Sequence, residues 1–228
     1  MIDYSKARDF FKTIDPDIAK RYTDYWESLR PQGDMEIFQR YLFAFCSVHT
    51  TFRGNVNGYQ AIKDYSAWAG KPDILLENLK GSKAGLHNNR AKYIQHFSNL
   101  YWDRPSDFRL TTKKRHISRR DEITSKINGL GVAKVSFALE MIHPSEARVV
   151  CGDVHQLRLY GIEGLEYNSS SAGRATYRKM ENHWVTGSHK AGVSPYVARC
   201  IFWDQLQNKP NPRYWSYVLE KEGTDYAC

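Results

Sequence analysis

The stretch Ile127-Asn-Gly-Leu-Gly-Val-Ala-Lys134 is the most informative part of this sequence for predicting its fold. Gly129 and Gly131 bracket one apolar residue, and apolar residues at helical spacing begin directly after them. Glycine permits a positive φ and a close approach of another backbone, so the stretch predicts a tight turn between two helices. The first turn of the second helix would present unpaired N–H groups to an anion such as a DNA phosphate. Taken alone, the pattern is more typical of an ordinary connection between helices.

A second segment changes that interpretation. Downstream of Lys134, the sequence Arg148-Val-Val-Cys-Gly-Asp-Val-His155 brings Asp153 out of an apolar run. A carboxylate has no use in a pure phosphate clamp, because it repels DNA. The two segments together therefore favour an enzyme over a module that only binds the backbone of DNA.

The combination of Gly-x-Gly, a helix with a lysine near its start and an apolar run ending in Asp-Val-His resembles the helix-hairpin-helix DNA glycosylases. That superfamily includes endonuclease III and the 8-oxoguanine glycosylases. Phe45-Cys-Ser-Val-His-Thr-Thr-Phe-Arg-Gly-Asn-Val-Asn57 is similar to the Leu-Ser-x-Gln-Thr…Val-Asn segment of endonuclease III relatives. The resemblance covers about residues 35–165 and has looser support in the C-terminal helices.

The resemblance implies catalytic roles for Lys134 and Asp153. In bifunctional members the lysine attacks C1′ of a flipped nucleotide and forms a Schiff base, while the aspartate stabilises positive charge on the sugar or assists proton transfer. The pairing is chemically sound, because an amine is a good nucleophile once it is deprotonated. A fixed carboxylate also stabilises a cation-like transition state.

One departure leaves the role of Lys134 open. In lysine-bearing families one residue usually separates the second glycine from the lysine, whereas Val132 and Ala133 intervene here. One residue on a helix is a rotation of about 100°. A slightly longer turn could return Lys134 to the catalytic position. Alternatively, Ala133 occupies that position, and Lys134 contacts phosphate or solvent.

Candidate DNA contacts surround these two residues. His49 falls where endonuclease III relatives place a glutamine that fills the gap left by the flipped base, although a core histidine is the alternative. His155 could orient Asp153 or bind phosphate, or it merely begins a helix. A basic run precedes the hairpin and predicts either phosphate contacts or a solvated face. The full set of predicted DNA contacts is Gly129, Gly131, Val132, Ala133, His49, His155, Lys113, Lys114 and Arg115, with Arg119 and Arg120 continuing the basic run.

Composition agrees with a DNA partner. The 228 residues carry a formal charge of +8, which favours a polyanion. The sequence predicts no membrane span, no secretion signal, no cofactor and no metal site, and we expect a cytoplasmic monomer that binds double-stranded DNA. Cys46, Cys151 and Cys200 are expected to be buried thiols, and Cys228 an exposed one.

The predicted fold class is all-α, with two helical lobes flanking a cleft that Lys134 and Asp153 face. We expect one domain over residues 1–228, with a core at 35–165, the hairpin at 126–142, and segments 1–34 and 166–228 completing the second lobe. Apolar periodicity predicts the following helices: Asp17–Arg30, Met35–Thr50, Gln60–Ala69, Pro72–Leu79, Asn89–Tyr101, Arg120–Asn128, Val132–Ile142, Ala172–Trp184, Pro195–Gln207 and Pro212–Lys221.

Three functions follow from these expectations. The first is a DNA glycosylase, with associated lyase activity at the abasic site, that removes a damaged or modified base. The second is a glycosylase-fold transferase that adds an amine or amino acid to an activated thymine, as some viral proteins resembling these glycosylases are thought to do. The third is a DNA-binding module without catalysis. No side chain in the sequence identifies the base.

Overall fold

The structure is a computed structural model that describes residues 2–162 and 171–207, and every regular element in these ranges is helical. The predicted all-α class is therefore confirmed. A 3₁₀ helix spans Pro105–Phe108, and the α-helices are α1 (Ser5–Lys12), α2 (Pro16–Ser28), α3 (Asp34–Cys46), α4 (Phe52–Ile62), α5 (Tyr65–Trp68), α6 (Pro72–Gly81), α7 (His87–Asp103), α8 (His116–Lys126), α9 (Val132–Ile142), α10 (Val154–Leu159), α11 (Ser171–Lys190) and α12 (Pro195–Gln207).

Helix boundaries follow the capping chemistry of the sequence. The side chain of Asp15 accepts hydrogen bonds from two N–H groups in the first turn of α2. The predicted helix Gln60–Ala69 is wrong, because Thr51 caps a helix that starts earlier and Asp64 caps a separate short one. α1 was not predicted, and Pro212–Lys221 lies outside the described residues.

The described residues form two compact units. The central unit comprises residues 31–138, and the terminal unit comprises residues 2–30, 139–162 and 171–207. The division falls within α9, which contributes its first residues to the central unit.

The central unit is built around α3, as its nearly continuous apolar sequence predicts. Phe38 stacks on Phe97 of α7 with ring centroids 5.7 Å apart. The hydroxyl of Tyr41 is fully buried and donates a hydrogen bond of 2.8 Å to the carbonyl of Phe108. Since buried hydroxyls need partners, this bond fixes the segment before α8 against the core.

The terminal unit has its own aromatic core. Trp184 of α11 stacks on Phe10 of α1 with centroids 5.5 Å apart, and Trp26 of α2 packs on Tyr196 of α12. Among the late aromatic residues, Trp184 and Phe202 are buried and Trp203 is half-buried, whereas Tyr214, Trp215 and Tyr217 lie outside the described residues.

The cysteines of the described residues form no disulfide. Cys46, Cys151 and Cys200 are buried thiols, as predicted, and Cys228 lies outside the described ranges. Burial raises the pKa of the Cys46 thiol to about 12, so this side chain is an inert core residue. None of the described helices is both long and apolar enough to cross a membrane.

Candidate functional site

The hairpin between α8 and α9 has the backbone that its glycines predict. Gly129 has a φ of +85°, and a Cβ atom added there would lie 2.3 Å from Cδ2 of Tyr93. Leu130 is buried and anchors the turn. Only glycine therefore satisfies both the left-handed conformation and the close contact with Tyr93 at position 129.

The hairpin ends in the open first turn of α9. The carbonyl of Gly131 accepts hydrogen bonds of 3.0 Å from the N–H groups of Lys134 and Val135. Within the part of the chain that the structure describes, the N–H groups of Val132 and Ala133 have no hydrogen-bond partner. These two half-buried residues therefore present the free donors that an anion needs at a helix start.

A buried arginine joins the two hairpin helices. Arg120 of α8 is fully buried, and its Nη1 donates a hydrogen bond of 2.8 Å to Oγ of Ser136 in α9. Arg119 is also buried, and its guanidinium donates to the carbonyls of Arg109 and Ser106. The expectation that both arginines continue a phosphate-binding surface is wrong, because these guanidinium groups bond within the central unit.

The remaining basic run is exposed. Lys113, Lys114 and Arg115 lie directly before α8, and Lys114 forms an ion pair of 2.7 Å with Glu122. Hydrogen bonds from Lys114 and Arg119 lower the pKa of the Glu122 carboxyl to about 2. Exposed pairs of this kind contribute little to stability, so Lys114 remains available to a phosphate.

Lys134 lies in the first turn of α9 and is half-buried. Its Nζ atom is 5.9 Å from the centroid of the Phe137 ring, one turn along the helix. Among the described residues no carboxylate pairs with it. The amine is thus partly shielded from water and forms no ion pair with a carboxylate of the described residues.

Asp153 is the N-cap of α10 and belongs to the terminal unit. Its Oδ1 accepts a hydrogen bond of 2.9 Å from the N–H of Gln156, while Oδ2 has no partner among the described residues. The carboxylate is half-buried, and the cap fixes its orientation. His155, also half-buried, follows in the first turn of the same helix.

Buried polar side chains hold in place the segment that leads to Asp153. Glu181 accepts a hydrogen bond from the N–H of Val150, and Glu140 accepts one from the N–H of Cys151. The hydroxyl of Tyr177 contacts the N–H of Gly152, where an added Cβ would lie 2.6 Å from the tyrosine ring. Three side chains therefore satisfy three successive N–H groups before the aspartate.

Glu140, which bonds to this segment, also forms a buried ion pair with Arg199. Arg199 of α12 donates from Nε and Nη2 to Glu140, with the shortest distance 2.7 Å between Nη2 and Oε2. Burial raises the pKa of the Glu140 carboxyl, while Arg199 and the N–H of Cys151 oppose that rise. Although burial acts to lower the pKa of Arg199, the Glu140 charge holds it above its ordinary value. Sequence periodicity placed both residues on helices but could not reveal their pairing.

His49 is exposed and has a φ of +46°, so it is not a core histidine. Its loop is held by Arg90, which is buried and donates to the carbonyls of Cys46 and Val48. Non-glycine residues with a positive φ are uncommon and often mark functional positions.

Leu86 is a candidate that the sequence analysis missed. The same Arg90 guanidinium donates to the carbonyls of Ala84 and Gly85, so it ties the His49 loop to the loop that holds Leu86. Leu86 has a φ of +50° and is 48% exposed, which is unusual for a leucine. The available sequence signal was a single large apolar residue among the small and polar residues of 80–89.

The described residues contain no group of three His, Cys, Asp or Glu side chains that could hold a metal ion. Neither a protein-family model nor a curated protein matches the chain.

Solved structures do match. The 8-oxoguanine DNA glycosylase of Thermotoga maritima has a TM-score of 0.66 and 17% identity, covering 85% of this chain and 90% of its own. That of Methanocaldococcus jannaschii has a TM-score of 0.67 and 20% identity, covering 90% of this chain and 94% of its own. The M. jannaschii 8-oxoguanine glycosylase/lyase in complex with a 15mer DNA containing 8-oxoguanine has a TM-score of 0.68 and 19% identity, covering 90% and 97%. The chain therefore has the fold of the helix-hairpin-helix DNA glycosylases.

Proposed function

We propose that this protein is a DNA glycosylase with lyase activity at the resulting abasic site, and that 8-oxoguanine is the first substrate to test. The observation that carries the proposal is an open helix start with Lys134 at the Gly129–Gly131 hairpin, in a chain with the fold of 8-oxoguanine glycosylases. The capped, half-buried carboxylate of Asp153 supports it.

The hairpin binds DNA in this proposal. A phosphate accepts hydrogen bonds from the N–H groups of Val132 and Ala133, and the exposed side chains of Lys113, Lys114 and Arg115 contact neighbouring phosphates. Such contacts do not read sequence and are weakened by salt, because binding releases counterions. The target nucleotide is flipped out of the duplex, since its sugar is inaccessible inside the stack.

The proposed reaction begins at C1′ of the flipped nucleotide. The deprotonated amine of Lys134 forms a bond to C1′, and the bond from C1′ to the base breaks, with its electron pair leaving on the base. The new ammonium nitrogen loses a proton, the C1′–O4′ bond of the sugar breaks, and O4′ keeps the electron pair and takes up a proton, which leaves a Schiff base between C1′ and the nitrogen. The carboxylate of Asp153 stabilises positive charge on the sugar while the base departs.

Borohydride trapping tests both the chemistry and the substrate. The protein is incubated with duplexes that each carry one modified base, 8-oxoguanine among them, and borohydride reduces any Schiff base to a stable adduct. We expect a covalent adduct with at least one duplex and none with Lys134→Gln. The control is Lys113→Gln, which removes an exposed lysine before α8 and should weaken binding yet leave trapping intact.

Two outcomes would contradict the proposal in different ways. If the unmodified protein releases a base but forms no adduct, then Lys134 is not the nucleophile and Ala133 holds the position that the catalytic lysine occupies in relatives. If no base is released from any duplex, the glycosylase proposal itself fails. Incubation with DNA that contains an activated thymine and candidate amines would then test the transferase hypothesis.

A further inference from the structure

A basic pocket lies between α1 and α11 in the terminal unit, apart from every residue considered so far. Its volume is about 440 Å³. It is lined by residues of α1, of the last part of α11 and of the turn that follows α11: Arg8, Phe11, Lys12, His183, Thr186, Gly187, Lys190 and Ala191. None of these lining residues is acidic.

The cations of the pocket have few partners. Among the described residues, Arg8 and Lys190 form no ion pair, and Lys12 pairs only with the exposed Asp9 at 2.9 Å. Three cations that line one pocket repel each other, and a bound anion would remove that repulsion.

A histidine forms part of the same wall. Nδ1 of His183 lies 2.9 Å from the hydroxyl of Tyr160, and the Tyr4 ring lies 4.6 Å from the imidazole centroid. Burial lowers the pKa of His183, and the charges of Arg8 and Lys190 lower it further. The imidazole is therefore oriented by its neighbours, and it lies in the positive potential of Arg8 and Lys190 that would also act on a bound ligand.

Phe11 completes the pocket on its apolar side. Its ring contacts Trp184 with centroids 4.8 Å apart, so the ring is held by the aromatic core of the unit. Both helices that form the pocket are consequently fixed by packing, and the pocket does not depend on a loop.

Helix capping is the ordinary explanation for such lysines. Lys12 and Lys190 both occupy last turns, where a cation complements the partial negative charge of a helix C-terminus. This explanation does not extend to Arg8, one turn earlier in α1, or to His183, about two turns before the end of α11. The end of α11 is also closed within the chain, because the N–H groups of Ala191 and Val193 donate to its carbonyls.

The two helices carry further cations besides those that line the pocket. Exposed Lys and Arg side chains on the two helices are Lys6, Arg8, Lys12, Arg174, Arg178, Lys179 and Lys190, whereas their only acidic residues are Asp9 and the buried Glu181. The two helices thus have a net charge of +5, in a chain whose formal charge is +8.

We propose that the pocket between α1 and α11 binds a phosphate group of a DNA strand, and that the basic surface around it is a second DNA-binding surface besides the hairpin. A phosphate oxygen accepts hydrogen bonds from the Arg8 guanidinium and the Lys190 ammonium, with the hydroxyl of Thr186 as a further donor. The inference rests on the proposed function for its partner, since it takes DNA to be the polyanion that the protein binds.

The test compares two double variants that each remove two exposed cations. Arg8→Gln with Lys190→Gln removes two of the three cations that line the pocket, and Lys20→Gln with Arg21→Gln makes the same charge change on α2. Binding of a labelled duplex is measured across a range of salt concentrations. The pocket variant should reduce the log–log salt slope by about 1.8, or about 0.9 for each lost contact, and the α2 variant should leave it unchanged.

A second measurement identifies the ligand directly. The ¹³Cε1 signal of His183 is followed by NMR during titration with inorganic phosphate at constant ionic strength. We expect a saturable shift in the unmodified protein and in the α2 variant, and none in the pocket variant. A saturable phosphate shift with an unchanged DNA slope would assign the pocket to a small phosphorylated molecule and would overturn DNA as its ligand.

The remaining outcomes separate this inference from the proposed function. If the unmodified protein binds duplex DNA and the two double variants bind alike, the second surface is wrong and the proposed function is unaffected. If the unmodified protein binds no DNA at all, the proposed function fails and this inference fails with it.

Discussion

Arg199 donates hydrogen bonds from two nitrogens to Glu140, and the two side chains form an ion pair in the core of the terminal unit. The same Glu140 carboxylate accepts a hydrogen bond from the N–H of Cys151, two residues before Asp153. The pair therefore connects the helix that ends the described chain to the segment that positions the candidate catalytic carboxylate. Because both charges are buried, neither partner tolerates the loss of the other.

Arg199→Met should lower the free energy of unfolding by about 3–5 kcal/mol, because it leaves the Glu140 charge buried without compensation. Glu140→Gln combined with Arg199→Met should recover most of that loss, since the amide oxygen of glutamine can still accept from Cys151. Urea unfolding of both variants measures the difference. A single variant as stable as the unmodified protein would show that the pair does not support this segment.

Gly129→Ala should destabilise the hairpin by at least about 1–2 kcal/mol, the approximate cost of left-handed backbone for an L residue. Displacement of Tyr93 by the added methyl group increases that cost. The control is Gly81→Ala at the end of α6, where an added Cβ meets no atom within 4 Å. Thermal unfolding and duplex affinity should both fall for the hairpin variant alone; equal behaviour of the two would contradict the tight turn.

Asp153→Asn and Asp153→Ala separate the structural role of this residue from its chemical one. Asparagine can still cap α10, so the free energy of unfolding of that variant should be nearly unchanged, whereas the alanine variant should lose about 1 kcal/mol of it. Base release should fall by orders of magnitude in both, because both lack the negative charge. Single-turnover excision with DNA binding measured in parallel tests this. Normal turnover by the asparagine variant would mean that Asp153 is only a cap.

Leu86→Gly should reduce base release while leaving stability equal or slightly higher. Glycine accepts the positive φ without strain, so only the exposed side chain is lost. We expect the loss of activity because apolar side chains inserted between base steps help to unstack a duplex. The matched control, Lys83→Gly, relieves the same kind of backbone strain at a φ of +55° without removing an apolar group. Equal excision by both variants would remove Leu86 from the site.

The two glycines of the hairpin illustrate what local sequence can predict. A turn is specified by residues that lie next to each other, so the conformation of Gly129 and the start of α9 at Val132 could both be inferred. The same reasoning failed for residues 60–69, because apolar periodicity continues through Lys63 and Asp64 although the Asp64 side chain caps a new helix. Competing local bonds, which periodicity ignores, decided that boundary.

The fate of charged side chains could not be predicted in this way. Arg119 and Arg120 look like part of an exposed basic run, yet both are buried, and Arg120 bonds to Ser136 on the next helix. Arg90 likewise joins the loops of His49 and Leu86. It donates to the carbonyl of Val48, more than 40 residues away in the sequence, and to the nearby carbonyl of Ala84. Whether an arginine meets solvent or a carbonyl depends on which segments pack around it.

Local sequence patterns were enough to predict the helical class, the hairpin and the two residues, Lys134 and Asp153, on which the proposed chemistry depends. These features follow from residue types at short spacing, where backbone geometry limits the alternatives. The pairing of Arg199 with Glu140 next to the Asp153 segment, and the common pocket of Arg8 and Lys190, could be seen only in the folded chain. Hydrogen bonds and ion pairs act over a few ångströms in space, and packing alone brings residues distant in sequence within that range.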